Sequence, residues 1–401
     1  MPISQRVSRL GNGVFARNDQ RKLAYVESRD SRCGDGDSGS LLDLSLGSTD
    51  LAPPGVVLEA MAAALQQPAS AAYCLHGATQ SFREAAAAWV ERRFGVVVDP
   101  ATEVLFLIGS QEGTAHLPLA VLNPGDPALI LDPCYPSHLG GLHLASATPV
   151  SLPLQEERGW RPAFESLPQS TWSALRLMVL GFPHNPTATT GEQGWLEEAV
   201  ARAIDHDVVL VHDNPYVDLA LEGTAPALLL HSDWRRCGLE LFSFSKSWCL
   251  GGYRLAFAVG AEPLIGALRQ LKGVVDFNQS LALQAGAIAA LERAPEWPAQ
   301  LRQVYRDRRD RMVLALQAAG WVVPRPSMAL YLWLPMPAAA RQRGLSCEEV
   351  SASLLEATGV CLTPGSGFGP GGEGWLRLAL VHPTASLEEA AARMGRWLAA
   401  L

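Results

Sequence analysis

A lysine that follows directly on an apolar run is the first residue of this chain with evident chemistry. The segment Phe242-Ser-Phe-Ser-Lys246-Ser-Trp-Cys-Leu-Gly-Gly-Tyr-Arg254 sets Lys246 between two serines, eight residues before an arginine. A lone lysine at a turn is ordinarily solvated. This one stands at the carboxyl end of a strand pattern, where open α/β sheets bind their ligands. Ser243 and Ser245 lie just before it, and Gly251-Gly252 permits close backbone approach.

Other segments set polar residues just past apolar runs. VVLVHDNPYVDL carries Asp213 and, three residues on, Tyr216. LMVLGFPHNPTATTG carries Asn185-Pro186, and LDPCYPSH carries Tyr135. EVLFLIGSQEGTAHLPLAVL runs from a strand through Gly109-Ser110-Gln111 into a helix. Free N–H groups and the positive end of that helix make a phosphate cradle. Singly, these read as a turn aspartate, a core ring and an ordinary helix cap. Their order is what distinguishes them: cradle, aromatic, Asn-Pro, Asp with Tyr, Ser-x-Ser-Lys, Arg, and a late Arg at 377.

The elements that must position these groups follow an alternating pattern. Short apolar runs lie at 103–109, 127–132, 147–154, 175–181, 208–213, 240–245 and 256–260. They are separated by helical patterns and preceded by helices at 58–67 and 80–94. Near-continuous apolar strands alternating with helices predict a mostly parallel, seven-stranded sheet covered on both faces. Helical stretches follow at 278–293 and 296–319. The tail then reads as paired strands over 321–335, a helix at 346–359, a strand at 375–381 and a closing helix. The first 40 residues, polar and Gly-rich, read as an extended arm or flexible loop. The expected division is an arm with part of the small domain (1–58), a large domain (59–284) and a small α+β domain (285–401). The polar loop at 27–40 has no assigned role.

Composition bounds the function. The chain has 401 residues, and its 32 Lys+Arg against 40 Asp+Glu give a formal charge of −8. That balance argues against nucleic-acid or anionic-membrane partners, which need a basic face. No run reaches the roughly 18–20 apolar residues of a membrane helix, and the start lacks a signal peptide's apolar segment. The seven cysteines show neither C-x-x-C nor zinc-like spacing, so no metal site is expected. They read as reduced thiols in a cytoplasmic protein.

The segments YCLHGATQSFREA, LIGSQEG, LNPGDPALILDPCYPSH, NPTATT, HDNPY and SKSWCLGGYRLAF resemble the class I/II aminotransferases of the aspartate aminotransferase superfamily. Their flavour is closest to the LL-diaminopimelate aminotransferases. The resemblance covers nearly the whole chain. It implies the fold-type I architecture of pyridoxal-phosphate transferases and pyridoxal 5′-phosphate as cofactor. The implied reaction moves an amino group from an L-amino acid to a 2-oxo acid by a ping-pong route. Departures are the stretch after Lys246, where Tyr253 and Ala256 replace the commoner pattern, and the unusually polar loop at 27–40.

The resemblance also implies roles. Lys246 would carry the cofactor and later move the substrate proton. Asp213 would keep the pyridine nitrogen protonated, while Asn185 and Tyr216 would hydrogen-bond the phenolic oxygen. Tyr135 would stack on the ring. Ser110, Gln111, Ser243 and Arg254 would hold the phosphate. Tyr73 would reach the phosphate of a neighbouring subunit, which implies a homodimer with shared sites. Arg377 would bind the substrate α-carboxylate, with Gly47 and Asn185 beside it. An arginine inside the apolar strand WLRLALV is costly without an anion, which favours that role. A lyase, decarboxylase or oxidase on the same scaffold is the rival reading. A non-catalytic binding module is the second, disfavoured because it needs no base such as Lys246.

Overall fold

The computed structural model describes residues 3–30 and 40–401. Seven strands form one sheet: β1 (Val104–Leu107), β2 (Pro127–Asp132), β3 (Thr148–Pro153), β4 (Leu177–Leu180), β5 (Val209–Asp213), β6 (Gly238–Ser243) and β7 (Ala256–Gly260). Each lies within or beside the run expected for it. Their order across the sheet is β1-β7-β6-β5-β4-β2-β3. The pairs from β6 to β3 are parallel, and β7 runs antiparallel to both β1 and β6. β1, β4, β6 and β7 are buried at every position, as strands covered on both faces must be.

This sheet and its helices enclose a core running from Val57 to Ala294. A second core gathers Leu42 and Leu44, residues from Leu301 to Trp397, and Tyr216, Leu219 and Cys249 from the first region. Its small sheet pairs β8 (Tyr331–Pro335), β9 (Thr363–Pro364) and β10 (Trp375–Ala379) antiparallel, with β10 central. Helix Cys347–Thr358 starts on a capping box between Ser346 and Glu349 and ends at Gly359 in the left-handed conformation.

Two expectations require correction. The N-terminal segment is helical, with helices at Gln5–Leu10 and Val14–Asp30 rather than an extended arm. Burying Val14, Asn18 and Tyr25 on one side of the second helix offsets the low apolar content that made it read as loop. Arg17 and Arg21 both pair with Glu348 and tie that helix to the second core. Most of the polar loop at 27–40 lies outside the described residues. The second correction concerns 321–335. Only Tyr331–Pro335 is a strand, and it pairs with β10 instead of its own upstream neighbour. Pro324 and Pro326 deny 321–327 the regular donors that a ladder needs.

Helix Pro136–Leu144 packs closely on helix Ser110–Val121 because Gly141 has no side chain: a Cβ there would collide with the Thr114 carbonyl. The neighbouring Gly140 would meet only Leu10, at 3.7 Å. Gly141→Ala is therefore expected to lower stability by about 1–3 kcal/mol through overpacking. Gly140→Ala should be neutral or stabilising by up to ~1 kcal/mol through helix propensity. Chemical denaturation of the two variants side by side checks the contrast.

Candidate active site

Eleven of the residues singled out in the sequence line one cavity of about 390 Å³: Gly47, Ser110, Gln111, Tyr135, Asn185, Asp213, Tyr216, Ser243, Lys246, Arg254 and Arg377. β5 delivers Asp213 and β6 delivers Ser243 at their carboxyl ends. Lys246 sits in the short helix that follows, where Ser243 Oγ accepts the Ser245 N–H at 3.2 Å. Ser110 and Gln111 open helix Ser110–Val121, so their N–H groups belong to its positive end. β10, from the other core, delivers Arg377. The cavity therefore lies where the two cores meet.

Its charges are unevenly answered. Lys246, Arg254 and Arg377 have no carboxylate partner among the described residues. Lys246 Nζ donates to the Gly47 carbonyl. Arg254 Nη1 donates to the Gly251 carbonyl at 3.0 Å, and its guanidinium lies against Gly109. Buried Arg377 donates from Nη1 to Asn185 Oδ1 and from Nη2 to the Ser45 carbonyl, both at 2.8 Å, and leaves Nε unpartnered. The rings of Tyr331, Phe368 and Phe15 flank that guanidinium at 4.3, 4.7 and 5.4 Å from their centroids. Burial pushes the Lys246 ammonium below its usual range, and Arg377 and Arg254 push the same way against an opposing pull from Tyr331.

Asp213 is buried. His138 Nε2 lies 3.0 Å from its Oδ2, while Oδ1 has no partner. Tyr216 receives the Asn185 amide at 3.3 Å and meets the Tyr331 hydroxyl at 3.1 Å. Burial drives Tyr216 well above its usual range. Burial also opposes ionisation of Tyr331, but Arg377 and Lys246 outweigh it and hold that hydroxyl low. Behind the sheet, His212 Nε2 accepts the Phe182 N–H at 3.1 Å, which fixes its proton on Nδ1, 2.8 Å from Glu240. The loop leading to Asn185 is thereby anchored to β5.

These features pass the test of fit for pyridoxal phosphate. The unpartnered Asp213 oxygen suits a protonated ring nitrogen. The Arg254 guanidinium, without a carboxylate partner among the described residues and beside a helix N-terminus, suits a phosphate. The amine of Lys246 is pushed toward its neutral form. Tyr73 does not enter this cavity: it is 88% exposed and touches Phe277, with ring centroids 6.0 Å apart.

Sequence reading missed His138, Tyr331 and Phe15. His138 was legible as the residue three after Tyr135 in the first turn of a helix. Tyr331 had the signal of a polar-tipped ring in an apolar strand, but its partner, Gly47, is remote in sequence: a Cβ at Gly47 would collide with the Tyr331 hydroxyl. Phe15 lay in the segment read as loop.

A family profile described as aminotransferase class I and II matches residues 40–394. The LL-diaminopimelate aminotransferase of Dehalococcoides mccartyi is 35% identical over 398 residues, 99% of each chain. That of a Nitratidesulfovibrio vulgaris strain is 37% identical over 394 residues, 98% of each chain. Among solved structures, a protein of Thermus thermophilus described as a "probable N-succinyldiaminopimelate aminotransferase" superposes with a TM-score of 0.87 at 40% identity, covering 96% of this chain and 100% of that one. A mutant aspartate aminotransferase of the same organism gives 0.89 at 25% identity, over 99% and 100%.

Gly109 has φ +79° and ψ 152°, and a side chain there would also push Arg254 away. Gly109→Ala should add about 1–3 kcal/mol of backbone strain and displace the guanidinium. Weaker binding of pyridoxal phosphate, by about tenfold or more, is the expected outcome, read by spectroscopic titration.

Proposed function

The chain belongs to the class I and II aminotransferases, and on that premise we propose the roles of its residues and the kind of substrate it takes. It is a pyridoxal-phosphate-dependent enzyme that moves an amino group between an amino acid and a 2-oxo acid. The observation that supports the residue roles best is the set of three cations around one cavity, none of them paired with a carboxylate among the described residues. Two of the three suit anions that every reaction of this class brings: the cofactor phosphate at Arg254 and the substrate α-carboxylate at Arg377.

Lys246 carries the cofactor through Nζ and, once displaced, takes the proton from the substrate α-carbon. Its lowered pKa supplies the neutral amine that both acts need. Bound pyridoxal phosphate supplies an electron sink for the charge left on that carbon. Asp213, oriented by His138, holds the ring nitrogen's proton. Tyr216 and Asn185 donate to the ring oxygen, and Tyr135 lies against the ring. Ser110, Gln111, Ser243 and Arg254 hold the phosphate. Arg377, aimed by Asn185 and the Ser45 carbonyl, orients the α-carboxylate above Gly47.

The names of the relatives support an L-amino donor of the diaminopimelate kind, with a long polar side chain. Exposed Tyr73 beside exposed Val274, Val275 and Phe277 supports a homodimer in which Tyr73 completes the partner's site. We divide the chain as arm 1–58, large domain 59–284 and small domain 285–401. Among the described residues, six unpaired, buried cysteines support a reducing, cytoplasmic setting.

Lys246→Ala should still bind pyridoxal phosphate, but borohydride should no longer fix it to the chain. Fixation at another lysine would overturn the assignment. In the parent protein, cofactor attachment should quicken as pH rises and level off below 10.5, the ordinary lysine value, because a depressed pKa exposes neutral amine earlier. Stopped-flow mixing of apoprotein and cofactor across pH reads that midpoint.

Arg377→Lys should keep the cofactor and lose kcat/KM on every amino acid and oxo acid alike, by about 2–4 kcal/mol. Lysine cannot reproduce the two-pronged donor. A loss confined to one substrate in a panel would place Arg377 at a side-chain group instead.

A further inference from the structure

A buried ion pair stands behind the phosphate cradle. Glu112 lies in the first turn of helix Ser110–Val121, one residue after Gln111. Lys272 comes from helix Glu262–Val275. Its Nζ meets Glu112 Oε1 at 2.8 Å and, nearer the surface, Asp276 Oδ1 at 3.2 Å. The side chains of Glu112 and Lys272 are 5% and 3% exposed, so the pair is complete within one chain. Neither residue is among those that line the cavity.

The second Glu112 oxygen, Oε2, accepts the Ile108 N–H. That bond spans Gly109, whose φ of +79° turns the chain from β1 into the helix. The Glu112 N–H in turn donates to the Gly109 carbonyl at 3.1 Å. The two bonds close the turn around Gly109 and fix the directions of the Ser110 and Gln111 N–H groups. The closure has an electrostatic drawback: a carboxylate in the first turn competes with a phosphate for the same positive helix end. Burial pushes the Glu112 carboxyl up, but His116, whose Nδ1 lies 3.5 Å away, Lys272 and the Ile108 N–H outweigh it and hold the group below the usual carboxylate range. A negative charge therefore sits behind the cradle, and Lys272 answers it. Stability alone does not account for the pair, because apolar residues in place of a buried ion pair often do as well or better.

We propose that Glu112 and Lys272 are positioning residues for the cofactor phosphate. The carboxylate shapes the turn from Ile108 to Gln111, and the ammonium cancels the repulsion that this carboxylate would exert on a bound dianion. The proposal rests on the placement of that phosphate at Ser110, Gln111 and Arg254. Lys272 acts through Glu112 rather than by contact, so its loss falls on the phosphate and spares the pyridine ring.

The test uses the full-length chain, stripped of cofactor and titrated with pyridoxal phosphate or with pyridoxal, which has the same aldehyde and ring but no phosphate. Lys272→Met should weaken pyridoxal phosphate by about tenfold or more and leave pyridoxal within about twofold, because an unanswered Glu112 repels only the dianion. Adding Glu112→Gln to that variant removes the repelling charge and keeps an acceptor for the Ile108 N–H. The double variant should return to within about threefold of the parent. Glu112→Gln alone leaves more of the Lys272 charge unanswered and should tighten pyridoxal phosphate by about threefold, with pyridoxal unchanged. It reads the same charge with the opposite sign, even where Lys272→Met fails to fold. Equal losses for the two ligands in Lys272→Met, or unchanged or weaker pyridoxal phosphate in Glu112→Gln, would overturn the proposal and leave the pair as a tie between two helices. If the parent binds the two ligands equally, the placement of the phosphate fails first, and the role of the pair falls with it.

Discussion

Positive charge left unanswered inside one cavity is the constraint on which the rest of this structure depends. A guanidinium taken out of water without a counter-charge costs several kcal/mol. Arg377 is nonetheless buried in the middle of an apolar strand, held by one side-chain amide, one carbonyl and three aromatic faces. Neutral dipoles and ring faces moderate the charge without cancelling it, so the site keeps its attraction for an anion. Carboxylates in the same positions would have made a more stable and useless pocket. The lining is otherwise free of acids among the described residues. Asp213 is the exception, and it is turned toward His138.

Rigid support lies one layer further back. The His212–Glu240 contact joins β5 to β6 at a point with no exposure, and Asn214 and Leu229 also donate to that glutamate. Neighbouring β5 residues thus face opposite sides of the sheet: His212 toward this network, Asp213 toward the cavity. Strand alternation separates a structural polar cluster from a functional one using adjacent residues.

The large sheet and most of the site were legible in the sequence for local reasons. Several functional groups sit within a few residues of a strand's carboxyl end, so apolar runs located Asp213, Ser243 and Lys246, and a strand-to-helix transition located Ser110 and Gln111. What escaped depends on distant partners. The arm at 14–30 is helical because its inward face meets the second core, which no local window displays. Tyr331 matters because Gly47, nearly three hundred residues earlier, leaves room for its hydroxyl. The pairing of Tyr331–Pro335 with β10 rather than with 321–327 was likewise decided by a long-range ladder. The polar loop around 27–40 offered neither a local pattern nor a remote signal.

The meeting of two cores at one cavity has a thermodynamic consequence. Asn185 belongs to the region of the large sheet and Arg377 to the small one, and their contact is one of many polar links between them. An anion held jointly across that seam acts as internal cross-bracing, because it binds only when both halves are folded and opposed. Any such molecule adds its binding free energy to the folded state, about 2.7 kcal/mol at a hundredfold excess over its dissociation constant. Melting behaviour thus becomes a property of the metabolite pool as much as of the polypeptide. A cell rich in suitable amino and oxo acids therefore holds a sturdier population of this enzyme than one depleted of them.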